Sequence, residues 1–176
     1  MTKSLSIFHQ ALSEAKELLN CYDTLNNHDE IVPPDALKKA SLIMALTAWE
    51  TYVEDVVTEL FNIKFSLVKG SMLGDFAEKQ LKERLKQFHN PDSRKTKHLF
   101  EEFFGVDITA NWEWNNVLPK DARTQLNKWI SIRGDAVHRV EVDVNQPQII
   151  RKDELAKCIR FIEELAKSTD KAVEEL

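Results

Sequence analysis

Ala40-Ser-Leu-Ile-Met-Ala-Leu-Thr-Ala-Trp49 is apolar on nearly every side when it is drawn as a helix. A surface helix carries one apolar stripe, whereas a helix that is apolar all round is surrounded by other elements. Pro33-Pro34 precedes the stretch, and the helix is expected to begin there and continue to about Val68. The pattern predicts an all-α fold, an up-and-down bundle of about five to six helices with this helix at its centre.

The rest of the chain shows helical periods and almost no alternating strand pattern. Only four glycines and five prolines interrupt it, so each period is long. Ser93 is the expected N-cap of one helix, and Pro119 is a favoured first-turn residue of another. The further helices are predicted at about 4–26, 73–88, 93–104, from Pro119 onward and 152–175, with connections at 106–118 and 142–149.

Length and composition favour one domain. A chain of 176 residues with 43% hydrophobic content can bury one core, and we expect that domain to span 1–176. Cys21 and Cys158 fall on the apolar side of helical patterns, so we expect a reducing compartment and no disulfide. The start of the chain does not resemble a signal peptide, and no apolar run approaches the length of a membrane span. The expectation is a cytoplasmic protein without membrane contact.

Arg133 and His138 are separated by four residues in Trp129-Ile-Ser-Ile-Arg-Gly-Asp-Ala-Val-His-Arg-Val140. Arginine presents a rigid fork of donors that matches phosphate oxygens, and histidine exchanges a proton near neutral pH. The pair can therefore bind and act on a phosphodiester without a metal. The chain has no metal-ligand cluster, glycine-rich phosphate loop or nucleophile elbow, so we expect no metal and no cofactor.

The same gap occurs a second time, in Arg84-Leu-Lys-Gln-Phe-His89 directly before Asn90-Pro91. This pair lies in a lysine-rich stretch, and a histidine in the last turn of a helix is explained by the helix dipole. We interpret it as a solvated helix end and as an internal control. On this interpretation, replacing His89 leaves any activity nearly unchanged.

Asp135 and Glu50 are possible supports for the first pair. Asp135 lies three residues before His138 and four before Arg139, so it can orient the imidazole or form a surface ion pair with that arginine. Glu50 and Glu54 face each other at an unfavourable like-charge spacing, with Thr47 and Thr51 nearby. They call for a cationic partner, either Arg133 or a lysine on a neighbouring helix.

The chain resembles the HEPN domains over about residues 4–170. The resemblance rests on Ala48-Trp49-Glu50-Thr51-Tyr52-Val53-Glu54 in the long helix and on Arg133-Gly-Asp-Ala-Val-His138 before the last one. Many members of that family are metal-independent endoribonucleases that act as homodimers, with the arginine and histidine of both subunits around one cleft. The resemblance implies that Arg133 and His138 are catalytic and that Glu50 supports Arg133.

It also implies a mechanism. The ribose 2′-hydroxyl attacks the adjacent phosphorus, His138 removes its proton or protonates the departing 5′-oxygen, and the second subunit's histidine takes the complementary role. Arg133 stabilises the charge on the phosphoryl oxygens. RNA is cut to 2′,3′-cyclic phosphate and 5′-hydroxyl ends, and DNA survives. The family setting is a toxin of a bacterial defence or toxin-antitoxin system, partnered by an antitoxin or a nucleotidyltransferase. The alternative is a non-catalytic module that binds a protein partner or a nucleotide.

Gly134 departs from the family pattern, because a polar residue often follows the arginine in that family. Glycine inside a helix costs about 1 kcal/mol relative to alanine. A close approach of a partner helix would explain it and would fit a dimer seam. A kink or an early helix end would explain it equally well.

A formal net charge of −5 is unfavourable for a general RNA binder, but the charge is unevenly distributed. Residues 79–98 carry seven basic residues against two acidic ones. This segment predicts an RNA-binding surface, and a solvated helix face is the alternative. Trp112 and Trp114 can stack on bases or anchor their loop to the bundle. The RNA-binding residues that we expect are Lys79, Lys82, Lys86 and Lys95.

Overall fold

A computed structural model of the chain describes residues 1–28, 32–138 and 149–176. These residues form six α-helices and no strand, which confirms the predicted all-α bundle. Two 3-10 turns, Ser66–Val68 and Ile108–Asn111, lie between helices. The helices are α1 (Lys3–Asn26), α2 (Asp35–Lys64), α3 (Met72–Leu85), α4 (Ser93–Phe104), α5 (Pro119–His138) and α6 (Lys152–Glu174).

Helix α2 is the central element, as its sequence predicted. It packs against α1, α6 and α5, and also contacts α4. Because neighbours lie on several sides, its buried residues do not form a single stripe. Leu42, Leu46, Trp49, Val53 and Val57 are fully buried. A polar residue in the middle of α2 must therefore find its partner on another element.

The helix ends differ from the predicted ones where the chain turns. Helix α2 ends at Lys64 and not at Val68, because the backbone tightens into the 3-10 turn Ser66–Val68. Helix α3 ends at Leu85, three residues earlier than predicted. Helix α4 begins at Ser93 as expected, but its N-cap is Asp92, whose carboxylate accepts a hydrogen bond from the Lys95 backbone N–H at 2.7 Å.

Tryptophan anchors the segment before α5 to the bundle, which is one of the two roles predicted for Trp112 and Trp114. Trp112 is fully buried, and its Nε1 donates to Thr169 Oγ1 at 2.9 Å. Its ring meets that of Trp49 edge-on, with 5.9 Å between centroids. Trp114 is half-buried against Phe161. Trp112 therefore has no face left for a nucleic-acid base.

Helix α6 closes the bundle with the apolar face that the sequence predicted. Cys158 is buried on that face, and burial raises the pKa of its thiol. Cys21 is exposed on α1, so its predicted place on an apolar face is wrong; neither cysteine forms a disulfide. The connection expected at 142–149 falls, up to residue 148, outside the described residues. In the part that the structure describes, no helix combines the length and the apolar character that a membrane crossing requires.

Candidate functional site

Arg133 reaches from α5 to the middle of α2. Its Nη1 lies 2.9 Å from Glu50 Oε2, and its Nη2 donates to Thr47 Oγ1 at 3.2 Å. The side chains of Arg133 and Glu50 are only 15% and 16% exposed. Of the two cationic partners expected for Glu50, the arginine is therefore the one present.

The turn between α3 and α4 completes this contact. Asn90 adopts a left-handed conformation, with φ of 51°, which asparagine tolerates better than most residues. Its backbone N–H donates to Glu50 Oε2 at 3.3 Å, and its side-chain oxygen accepts from Arg133 Nη1 at 2.5 Å. Trp49 Nε1 donates to the Pro91 carbonyl at 3.1 Å. The turn is thus fastened to α2 and α5 at once.

His89 lies on this turn and not in the last turn of a helix, which corrects its interpretation as a solvated helix end. Its Nδ1 is 3.6 Å from Glu50 Oε1, and its side chain is 72% exposed. Arg84 points elsewhere, with Nη2 2.6 Å from Glu102 Oε2. The two residues therefore do not form a unit, and His89 faces the carboxylate that holds Arg133.

The pKa of Glu54 reflects the charges around the neighbouring Glu50 carboxylate. Burial raises the pKa of Glu54, and the neighbouring charges of Glu50 and Asp55 raise it further. His89 acts in the opposite direction on that pKa. The imidazole of His89 is therefore near enough to Glu54 to affect its ionisation, and it faces the Glu50 carboxylate. Two features of the sequence bear on this contact: Asn90-Pro91 directly after His89, and the like-charged Glu50 and Glu54 on α2. The sequence alone did not predict that these two features meet in space.

His138 ends α5 and is exposed. It lies about 7.5 Å along the helix from Arg133 and about 140° around it, so the two side chains leave on different flanks. In the described parts of the chain, no hydrogen bond or ion pair is seen for the His138 side chain, and the role expected for Asp135 stays a prediction. The proposed pairing of Asp135 with Arg139 falls outside the described residues.

The guanidinium of Arg133 has few free donors. Nη1 uses its two N–H groups on Glu50 and Asn90, and Nη2 uses one on Thr47. Nε is buried and has no hydrogen-bond partner among the described residues. Within the described ranges, one N–H of Nη2 has no partner and can donate to an anion. Most of the hydrogen bonds that the Arg133 guanidinium can donate are therefore made to other residues of the protein.

Gly134 lies inside α5, which continues to His138. The interpretation of Gly134 as an early helix end is therefore wrong. A Cβ at this position would meet no atom within 4 Å from the described elements beyond its own helix. A close approach that requires glycine is not made within the described parts of this chain.

The basic segment is less positive in space than in sequence. Four of its seven cations have carboxylate partners: Lys79 with Glu83, Lys82 with Glu78, Arg84 with Glu102 and Lys97 with Asp107. Burial opposes the ionisation of Asp107, but hydrogen bonds from Lys97 and Thr109 outweigh it and lower the pKa of this carboxyl. Lys86, Arg94 and Lys95 are exposed without a carboxylate partner in the described ranges.

Lys95 places part of this remaining charge at the site. Its Nζ donates to the His89 carbonyl at 2.5 Å. The unneutralised cations thus flank the turn that contacts Glu50, while the paired Lys79 and Lys82 lie further back on α3. Of the four expected RNA-binding lysines, Lys86 and Lys95 keep free charge, and Lys79 and Lys82 do not.

The helical bundle is that of a HEPN domain. Residues 10–175 match the RiboL-PSP-HEPN family, and the chain belongs to that family. Neither a curated protein nor a solved structure matches the chain significantly. Membership confirms the HEPN resemblance over nearly its whole predicted extent, and it indicates an RNase-type or nucleotide-related function.

A double-mutant cycle on Glu50 and Arg133 measures the contact at the centre of the site. Each single alanine variant should lower the free energy of unfolding by about 2 kcal/mol, because it leaves a largely buried charge unpaired. The coupling energy should be about 1–2 kcal/mol. Urea unfolding of the parent, both single variants and the double variant gives these values.

The matched control is the cycle on Arg84 and Glu102, a pair of the same chemistry whose side chains are 44% and 37% exposed. Its coupling should be about 0.5 kcal/mol or less, because water screens exposed pairs. Equal couplings in the two cycles would contradict a special role for Glu50 and Arg133.

Proposed function

We propose that this protein is an endoribonuclease that needs no metal ion, with His138 as a proton-transfer residue and Arg133 as the cation that stabilises the transition state. The observation that carries the proposal is the arrangement on α5. An exposed imidazole stands about one and a half turns from a guanidinium that Glu50 fixes in place. Exposed cations on the adjacent turn provide a path for an RNA backbone.

The reaction is an internal transfer at phosphorus. The ribose 2′-oxygen forms a bond to phosphorus while the bond to the 5′-oxygen breaks, and the electron pair leaves with that oxygen. One imidazole takes the 2′-hydroxyl proton, and a second acid supplies a proton to the 5′-oxygen. The free N–H of Arg133 Nη2 donates to a phosphoryl oxygen. The products are a 2′,3′-cyclic phosphate and a 5′-hydroxyl.

A homodimer is part of the proposal. Gly134, Val137 and His138 share one face of α5, because they are three and four residues apart. Val137 is 54% exposed, and the space over Gly134 is open on the side of the described residues. If a second copy packed along this face, its close approach would explain the glycine at position 134. The two His138 side chains would then meet in one cleft.

The setting that we infer is a toxin of a bacterial defence or toxin-antitoxin system acting on cytoplasmic RNA. Its partner would be an antitoxin or a nucleotidyltransferase. This part of the proposal rests on the family alone. Co-purification of the chain with the product of a neighbouring gene, and relief of growth arrest by that product, would test it.

One observation favours a second candidate, a non-catalytic module that binds a protein partner or a nucleotide. Arg133 spends three of its donors on Glu50, Asn90 and Thr47, as a structural residue does. In that case the parent protein would bind a nucleotide or a protein saturably and would not cut RNA.

The central prediction concerns His138. The parent should cleave mixed RNA in EDTA, and His138→Ala should lower the single-turnover rate by about 10²- to 10⁴-fold with RNA affinity kept. His98→Ala removes an exposed histidine of α4 and serves as the matched control. Product ends should be 2′,3′-cyclic phosphate. A His138→Ala variant that cuts as fast as the parent would exclude this site.

The basic residues should act on binding and not on chemistry. Replacing Lys86, Arg94 and Lys95 by alanine should weaken RNA binding and lower the salt slope by about 2, since each lost phosphate contact removes about 0.7 for single strands. Saturating RNA should restore the rate. The matched control replaces Lys79, Lys82 and Lys97, whose charges are already paired, and equal losses in both triple variants would contradict the assignment.

The dimer can be tested at Gly134. A leucine there meets no atom of the described neighbouring elements within 4 Å of its Cβ, so the folded protomer should tolerate it. Gly134→Leu should nevertheless shift sedimentation from dimer to monomer and reduce cleavage, with the urea midpoint unchanged or raised. A parent that sediments as a monomer at micromolar concentration with full activity would rule out the composite cleft.

A further inference from the structure

A groove beside the second half of α6 takes no part in the proposed reaction. Its volume is about 590 Å³, which lies in the range of small-molecule sites. One wall is the last three turns of α6, and the other is the segment that begins at the end of the 3-10 turn Ile108–Asn111 and runs to Asn115. The walls carry an indole ring, amides, carboxylates and ammonium groups, so the groove can hold a ligand by several kinds of contact.

The groove lies near the start of α5, whereas Arg133 and His138 lie near its end. Arg123 Nη1 donates to Thr109 Oγ1 at 3.5 Å, which joins the early part of α5 to the 3-10 turn beside the groove. Helix α5 has 20 residues at about 1.5 Å each, so its two ends are roughly 30 Å apart. The groove is therefore a separate site.

Hydrogen bonds hold the two walls together. Ser168 Oγ donates to the Asn111 carbonyl at 2.8 Å and accepts from the Glu113 backbone N–H at 3.3 Å. The tip of the segment is closed by the backbone of Trp114 and Val117, with N–H to carbonyl distances of 3.3 and 2.8 Å in the two directions. A groove fixed in this way loses little order when a ligand enters.

Trp114 provides a surface for a planar ligand. Its ring packs against Phe161 with 5.6 Å between centroids, and the half-buried indole also borders the groove. Aromatic side chains bind nucleobases by stacking, whatever the base. Trp112 is fully buried, so Trp114 is the tryptophan of this segment that can stack on a base.

The charges in the groove call for a ligand with both hydrogen-bond donors and an anionic group. Lys167 is neutralised by Glu164, with Nζ 2.8 Å from Oε1. Glu113, Glu175 and Lys171 are exposed and line the groove, and none of them forms an ion pair within the described parts of the chain. Carboxylates only accept hydrogen bonds at neutral pH, and an ammonium only donates them.

We propose that this groove binds a guanine nucleotide, either free or as a guanosine of an RNA strand. Guanine carries N–H donors on adjacent positions, N1 and N2, and one carboxylate can accept from both. Adenine presents an acceptor at N1, which repels a carboxylate. The base would stack on Trp114 with its donor edge toward Glu113 or Glu175, and Lys171 would bind the phosphate.

Calorimetric titration of the full chain with guanosine monophosphate (GMP) should show one saturable site. Lys171→Ala should weaken GMP about 10-fold and leave guanosine unchanged, because only the nucleotide carries the phosphate. Lys157→Ala removes an exposed lysine of α6 outside the groove and should behave as the parent. Equal affinities of parent and Lys171→Ala for GMP would overturn the phosphate contact, and no binding at millimolar GMP would overturn the site.

The base is tested at Trp114 and at the two carboxylates. Trp114→Leu should weaken GMP about 5- to 100-fold, while Trp114→Phe keeps a stacking ring and most of the affinity. Trp114→Leu also loses packing on Phe161, so the exposed carboxylates give a test that does not depend on the core. AMP should bind the parent about 10-fold more weakly than GMP, and Glu113→Gln with Glu175→Gln should abolish this preference. A parent that binds AMP as tightly as GMP would overturn the assignment to guanine.

Two further probes distinguish the sources of the nucleotide. Decamers of 2′-O-methyluridine, with and without one central guanosine, cannot react through a 2′-hydroxyl. If the groove takes a guanosine of RNA, the guanosine decamer should displace GMP and bind more tightly than GMP. If it takes a free nucleotide, GMP should bind and neither decamer should displace it. Binding is measured without cleavage, so an empty groove leaves the ribonuclease proposal standing, and a parent that cuts no RNA leaves the groove standing.

Discussion

The ion pair between Glu50 and Arg133 is the constraint on which the site depends. Helix α2 is buried on several sides, and a carboxylate at its middle must be neutralised by another element. Arg133 does this from α5, and Asn90 adds a backbone donor and an acceptor from the turn. The rotation of α5 against α2 is thereby fixed, and His138 is left at the surface.

The fold was largely predictable because local signals and burial agree. The all-round apolar stretch identified α2 as central, and Pro119 marked the start of α5. The end of α3 was missed, because the hydrogen bonds that hold Asn90 and Pro91 come from α2 and α5, far away in sequence. Helix propensity alone continues the helix to Phe88, whereas these contacts define a turn there.

The site was predictable only where charge conflicts were local. The like charges of Glu50 and Glu54 called for a cation, and Arg133 answers that demand. The position of His89 beside the site was not predicted, because its neighbour there, Glu50, lies 39 positions earlier in the sequence. The positive charge of residues 79–98 was overestimated for a related reason. The acidic residues that pair with this segment include Glu102 and Asp107, which lie beyond it in sequence.

Asn90 carries a consequence for how sites of this kind diverge. Its backbone requires a residue that accepts a positive φ, and its side chain must offer an oxygen to Arg133. Glycine meets the first demand and fails the second, while most other side chains fail the first. Few single replacements are therefore neutral, and the turn resists drift more than its exposure implies.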